Sequence, residues 1–236
     1  MSGMDAQSLL ACWEHGRRRH GIDRALLLFA AAEPGSDPET LADRTLGQRN
    51  AALLRLRQSL FGDAMQSCVT CPGCGESLEF TLRASTLLER APARGDRALA
   101  DVRAAGHMLR LPTSRDLAVI AAERDEPGAV RHLLQRLFVG NAPAEWSDEL
   151  ESQISHAMDE ADPCMDLALD FVCPACEHAW NAPFDVGAFL WEEVDVRARR
   201  LLDEVHALAR SYNWSERQIL ELSDTRRRAY LERVLA

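Results

Sequence analysis

The residues of this chain best suited to chemistry are cysteines. Cys71-Pro72-Gly73-Cys74 and Cys173-Pro174-Ala175-Cys176 repeat one pattern, in which a tight turn aims two thiolates at one point while backbone amides donate to the sulfurs. Two such turns supply the four sulfurs of a tetrahedral shell. Zinc is the ion that suits it, with iron in a rubredoxin-like shell as one alternative and two metal-free dithiols as another. Residues 75–172, 98 in all, separate the turns, whereas the halves of small zinc ribbons stand roughly 15 to 20 residues apart. The spacing therefore predicts a single ribbon, split by a large insertion. A closed four-sulfur shell leaves no position for water or substrate, so its metal is expected to hold the fold together and not to catalyse.

The chain around each turn supports the pairing. After the first come Leu78, Phe80 and Leu82, then Leu87-Leu88; after the second come Trp180, Phe184 and Val186, then Phe189-Leu190. Both halves thus predict strand, turn, strand and the start of an apolar helix. His178 reads as a turn residue and not a ligand. Cys68 reads as a spare core thiol, and Cys12 and Cys164 carry no motif. The chain has no His-x-Glu, no glycine-rich phosphate loop, no Gly-x-Ser-x-Gly and no His-Glu-x-x-His, so no enzyme class is indicated.

Composition narrows the class further. All 27 Lys+Arg residues are arginine, which removes any lysine nucleophile, and the net charge of −10 weighs against nucleic acid as the main partner. Seven cysteines, an odd number with four in metal-type turns, suit a reducing compartment. With no long apolar run and no leader, the expectation is a cytoplasmic protein without a membrane partner.

The elements that must position the cysteines read as mostly helical, giving a mainly α fold with a small β zinc ribbon. Helices are expected at 5–19, at 25–32 behind an Asp23 cap, and at 46–61, the last with Arg49, Arg55 and Arg57 facing outward and Gly62 ending it. Residues 34–38 read as a break, 90–106 as a loop or weak hairpin and 107–112 as a strand. Helices follow from 113, 126 and 147. The longest helix starts at Val186, with Leu190, Val194, Ala198, Leu201 and Leu202 in its stripe and with Glu193–Arg197 and Asp195–Arg199 spaced for ion pairs. Ser215 and Gln218 form a capping-box pattern, and Ser223-Asp224 opens a last helix. The resulting organisation is an N-terminal helical region (1–65), a split ribbon (66–90 and 165–186), an inserted helical module (91–164) and C-terminal helices (187–236).

Aromatic and arginine residues concentrate near the end, and Trp214, Arg227, Arg228 and Tyr230 are the expected anchors for a protein partner. The alternative is a zinc-ribbon transcription regulator that applies these helices to DNA. Arg17-Arg18-Arg19 reads as a solvated helix end.

The second knuckle through Trp191, the run Leu201-Leu202-Asp203-Glu204-Val205-His206-Ala207-Leu208-Ala209, and Tyr212-Asn213-Trp214-Ser215-Glu216 through Tyr230-Leu231 together resemble a family found with contractile phage tails and related injection particles. Its members are described as baseplate proteins or baseplate hub assembly chaperones. The likeness is strongest over 165–236 and extends to the first knuckle and to Leu111-Pro112-Thr113-Ser114-Arg115-Asp116-Leu117. Asn213 and Glu177 stand where such proteins are expected to have Gly, which makes each turn costlier. The resemblance implies a role in particle assembly, with baseplate, hub or spike proteins as partners.

Overall fold

A computed structural model describes residues 4–91, 101–143 and 145–235. In chain order its elements are α1 (Ala6–Gly16), α2 (Gly21–Ala32), α3 (Pro38–Ala42), α4 (Leu46–Phe61), β1 (Ala64–Thr70), β2 (Ser77–Arg83) and α5 (Ala84–Leu88). Then come β3 (Val102–Ala104), β4 (His107–Leu109), α6 (Ser114–Ile120), α7 (Glu126–Leu137), α8 (Asp148–Ala161), β5 (Ala168–Val172), β6 (Ala179–Pro183), α9 (Val186–Tyr212), α10 (Glu216–Leu220) and α11 (Asp224–Leu235). The chain is mainly helical, with three separate two-stranded antiparallel sheets, β1-β2, β3-β4 and β5-β6.

Local chemistry sets most of these boundaries. Thr45 and Gln48 form a reciprocal capping box at the start of α4, and Gly62 ends that helix at φ 87°. Helix α2 is capped by His20, whose Nδ1 accepts from the Ile22 amide, and not by the expected Asp23, which lies in the first turn where its charge suits the dipole. The expected break at 34–38 leads directly into α3, a short helix not expected from the sequence, because Asp37 accepts from the Thr40 amide and Pro38 sits at the first turn. Asp185 opens α9 and Asn213 closes it in the left-handed region at φ 56°. The part of the expected 90–106 loop that falls on 92–100 lies outside the described residues; the rest contains β3, which pairs with β4 at the start of the strand expected over 107–112.

Helices α4 and α9 form the spine of the main core, with Leu28 and Phe29 of α2, Leu53 and Leu54 of α4, and Leu190 and Val194 of α9 buried together. Trp191 lies against Gly16: a Cβ there would fall 2.3 Å from the indole ring, so only glycine lets α9 approach the end of α1. Arg49 and Arg57 do not face outward as their spacing suggested; they are 7% and 3% exposed. The reason is pairing. Arg57 donates to both oxygens of Glu193 at 2.9 and 2.7 Å and to the Gly62 carbonyl, which ties α4 to α9. Arg49 donates to Ser114 Oγ and Asn50 Oδ1. Glu193 is thus taken by Arg57 and not by Arg197, whereas Asp195 and Arg199 do pair, at 2.7 Å. Leu202 turns to solvent, off the expected stripe.

Residues of the insertion build a second core from Val102, Leu109, Leu137, Ile154 and Met158, among others. Polar contacts join it to the main body. Asn50 Nδ2 donates to the Cys164 and Met165 carbonyls, and Asp162 accepts from Thr45 Oγ1 and the Gly47 amide at the start of α4. The other Asp162 oxygen is buried without a hydrogen-bond partner among the described residues.

Candidate metal centre

The chain delivers its cysteines on two matching hairpins. β1 and β2 pair in register from Ala64–Arg83 to Thr70–Ser77, and β5 and β6 from Ala168–Pro183 to Val172–Ala179, so each turn sits at a hairpin tip. The backbone repeats bond for bond. In the first tip the Cys71 amide donates to Glu76 O at 2.8 Å and the Gly75 amide to Cys71 O at 2.9 Å. In the second, Cys173 donates to His178 O and Glu177 to Cys173 O, each at 2.9 Å. Both turns need a left-handed residue, Gly75 at φ 79° and Glu177 at φ 58°, so Glu177 carries the strain that Gly75 avoids.

These tips bring the four predicted cysteines together. Cys71 Sγ lies 3.7 Å from Cys176 Sγ, Cys74 Sγ lies 3.6 Å from Cys173 Sγ, and all four sulfurs fall within 4.8 Å of one another. An ion with metal–sulfur bonds of about 2.3 Å at the centre of a tetrahedron holds its sulfurs about 3.8 Å apart. The cluster therefore fits a tetrahedral metal with little rearrangement. Cys71 and Cys173 are buried, whereas Cys74 and Cys176 are exposed, so the shell has an inner and an outer half.

Electrostatics separate the thiols. Burial opposes charge on Cys173, but the Ala175 and Cys176 amides and the Cys74 and Cys71 thiols outweigh it and pull its pKa down to about 7. The Glu76 amide favours the Cys74 thiolate, yet contacts with Cys176 and Cys173 sulfurs push that thiol up to about 12. Without metal the cluster holds protons that a metal must displace. His178 stays outside the sulfur group, exposed and stacked 6.0 Å from Trp180. Cys68 corrects an expectation, since it is exposed on β1 and not a core thiol. Cys12 and Cys164 are raised to about 11 by burial.

Aromatic contacts also bridge the hairpins: the Phe80 and Phe171 centroids are 4.9 Å apart, and Phe171 stacks on Trp180 at 5.3 Å.

The four residues expected to anchor a partner divide. Trp214 and Tyr230 are half-buried and form an aromatic cluster with Tyr212, with centroid separations of 4.7 to 5.6 Å, and Arg228, on the same helix as Tyr230, is exposed. Arg227 is 1% exposed and serves the chain's own packing: it donates to Glu204 Oε2 at 2.6 Å, to the Leu222 carbonyl and to Asp224. Arg197 closes the same network on Glu204 at 2.9 Å and Asp224 at 3.3 Å. Sequence reasoning missed this clasp because the Glu204 to Arg227 pairing joins different helices. Its only local signal was the three-residue spacing of Asp224 and Arg227.

Among the described residues no helix is long and apolar enough to cross a membrane. Comparison with family models, with curated proteins and with solved structures finds no match to this chain.

Proposed function

We propose that this chain is a non-enzymatic baseplate component, or hub assembly factor, of a contractile phage tail-like particle, stabilised by zinc in a split ribbon. The observation that carries the structural role is the convergence of two distant Cys-Pro-x-Cys turns on one closed sulfur shell. Four protein sulfurs leave no fourth-ligand position for a water or substrate. The particle assignment rests on the resemblance across 165–236. On this reading the protein works in the cytoplasm, docking baseplate, hub or spike subunits through Trp214, Tyr230 and Arg228.

The DNA-regulator alternative asks the Arg226-Arg227-Arg228 triplet to neutralise phosphates, yet Arg227 is enclosed by Glu204 and Asp224. A protein partner needs only the exposed aromatic edge and Arg228. The test is to tag the chain in cells that carry its gene and sediment the lysate through a gradient. Association with sheathed particles, or with a hub or spike subunit alone, supports the proposal and tells component from assembly factor. A chain that sediments free and shifts a promoter fragment with steep salt dependence overturns it.

A further inference from the structure

The Arg17-Arg18-Arg19 run reads in sequence as a solvated helix end, and the structure gives its first two members different surroundings. A groove of about 850 Å³ opens between the end of α1, the start of α2 and α9. Trp13 and Trp191, both buried, line its floor. The Arg17 guanidinium carbon lies 5.2 Å from the Trp13 ring centroid, and that of Arg24 lies 4.9 Å from the Trp191 centroid. Arg24 is also fixed by bonds from Nε to the Gly16 carbonyl at 3.1 Å and from Nη2 to the Arg17 carbonyl at 3.0 Å. A guanidinium held over an indole is partly positioned already and loses less freedom on binding a ligand. Arg17 and Arg18 form no ion pair among the described residues.

The opposite wall is α9, and it is acidic. Asp195 is engaged by Arg199 at 2.7 Å and by Trp13 Nε1 at 2.6 Å. Glu192 and Asp203 form no ion pair among the described residues, and Leu202 of the same helix, 38% exposed, lines the groove with them. A polyanion entering the groove meets Glu192 and Asp203, and a polycation meets Arg17 and Arg18. Both walls are satisfied together by a chain that presents a carboxylate to one side, a cation to the other and an apolar residue between.

We propose that this groove docks a mixed-charge segment of a partner protein, its acidic residue on Arg17 and Arg18 and its basic residue on Glu192. The groove shares no residue with the C-terminal aromatic cluster, and the proposal stands whatever particle the chain serves. It is tested by selecting a yeast-displayed random peptide library on the full chain, with counter-selection on the Arg18→Glu variant. Arg18 is exposed, so that variant is expected to keep wild-type circular dichroism and metal content. The expected result is enriched peptides with an acid, an apolar residue and a base in series. Because a charge-assisted hydrogen bond contributes about 1.5–3 kcal/mol, Arg18→Glu should bind them at least roughly tenfold more weakly. Glu192→Arg should remove the preference for the base. Enriched peptides that lack an acidic residue, no peptide that tells wild type from Arg18→Glu, or an oligo-dT probe that outcompetes the peptides at physiological salt would each overturn the proposal.

Discussion

Removing metal from the cysteine shell should melt the two hairpins and spare the helical body. Between the hairpins the aromatic link described is the Phe80–Phe171 contact, whose geometry adds about 0.5–1.5 kcal/mol beyond its buried area. Each hairpin alone has two strands, which is marginal in water. A structural zinc in a small site contributes an apparent 10–16 kcal/mol, roughly, at neutral pH, so the ion outweighs the aromatic contact several-fold. The main core owes little to the hairpin tips; its buried contributions from β1 and β2 come from Met65 at the root. Hydrogen exchange read by mass spectrometry on the metal-loaded chain, the chelated chain and Cys173→Ser is the assay. Amides of residues 66–82 and 169–182 should lose protection in the last two samples, while those of α4 and α9 keep theirs. Persisting tip protection in protein shown to be metal-free would refute the reasoning, as would loss of protection across α4 and α9 together with the tips.

Other substitutions probe the joints. Arg227→Met should cost about 2–3 kcal/mol in urea unfolding and expose α11 to trypsin; the figure sits below the 3–5 of a fully buried pair because Glu204 keeps Arg197 and Asp224 is largely exposed. Arg228→Glu should leave the urea midpoint unchanged while weakening association with particle proteins in the gradient experiment. Gly47→Ala should cost about 1–3 kcal/mol, seen as a lower melting temperature, because the new Cβ would fall 1.7 Å from Asp162 Oδ1 in a packed junction. Burial opposes charge on Asp116, but bonds from Arg110 and Thr113 outweigh it and lower its pKa from 3.8 to about 2. Its stabilisation, about 2 kcal/mol, is therefore complete above 3.8 and lost as pH falls through about 2, so Asp116→Asn should flatten that acid limb of a stability profile.

The features legible in sequence were those whose cause is local. The capping box of Ser215 with Gln218 lies within one turn, and the Cys-Pro-x-Cys repeat announces its own partner. Asn213 and Glu177 were marked as costly turns because each stood at a glycine position, and both have positive φ. What stayed hidden depends on neighbours distant in the chain. Arg57 is buried because Glu193, 136 residues later, accepts both its bonds. Arg227 is buried because α9 offers Glu204, and the groove beside Trp13 exists because Gly16 admits Trp191. Periodicity alone places such arginines on a solvated face, since it cannot weigh a partner that only the fold supplies.

The 98 residues between the two cysteine turns also set a timetable. On a ribosome adding about 5–20 residues per second, the first dithiol waits on the order of 5–20 s for its partner. Closing so long a loop as free chain costs about 1.5–2 kcal/mol more than closing one of about 15 residues. A folded insertion core shortens the effective span, so capture of the ion follows folding of the insertion. A chain whose insertion has not folded would keep its two dithiols apart and open, so closure of the sulfur shell would report on the folding of everything between them.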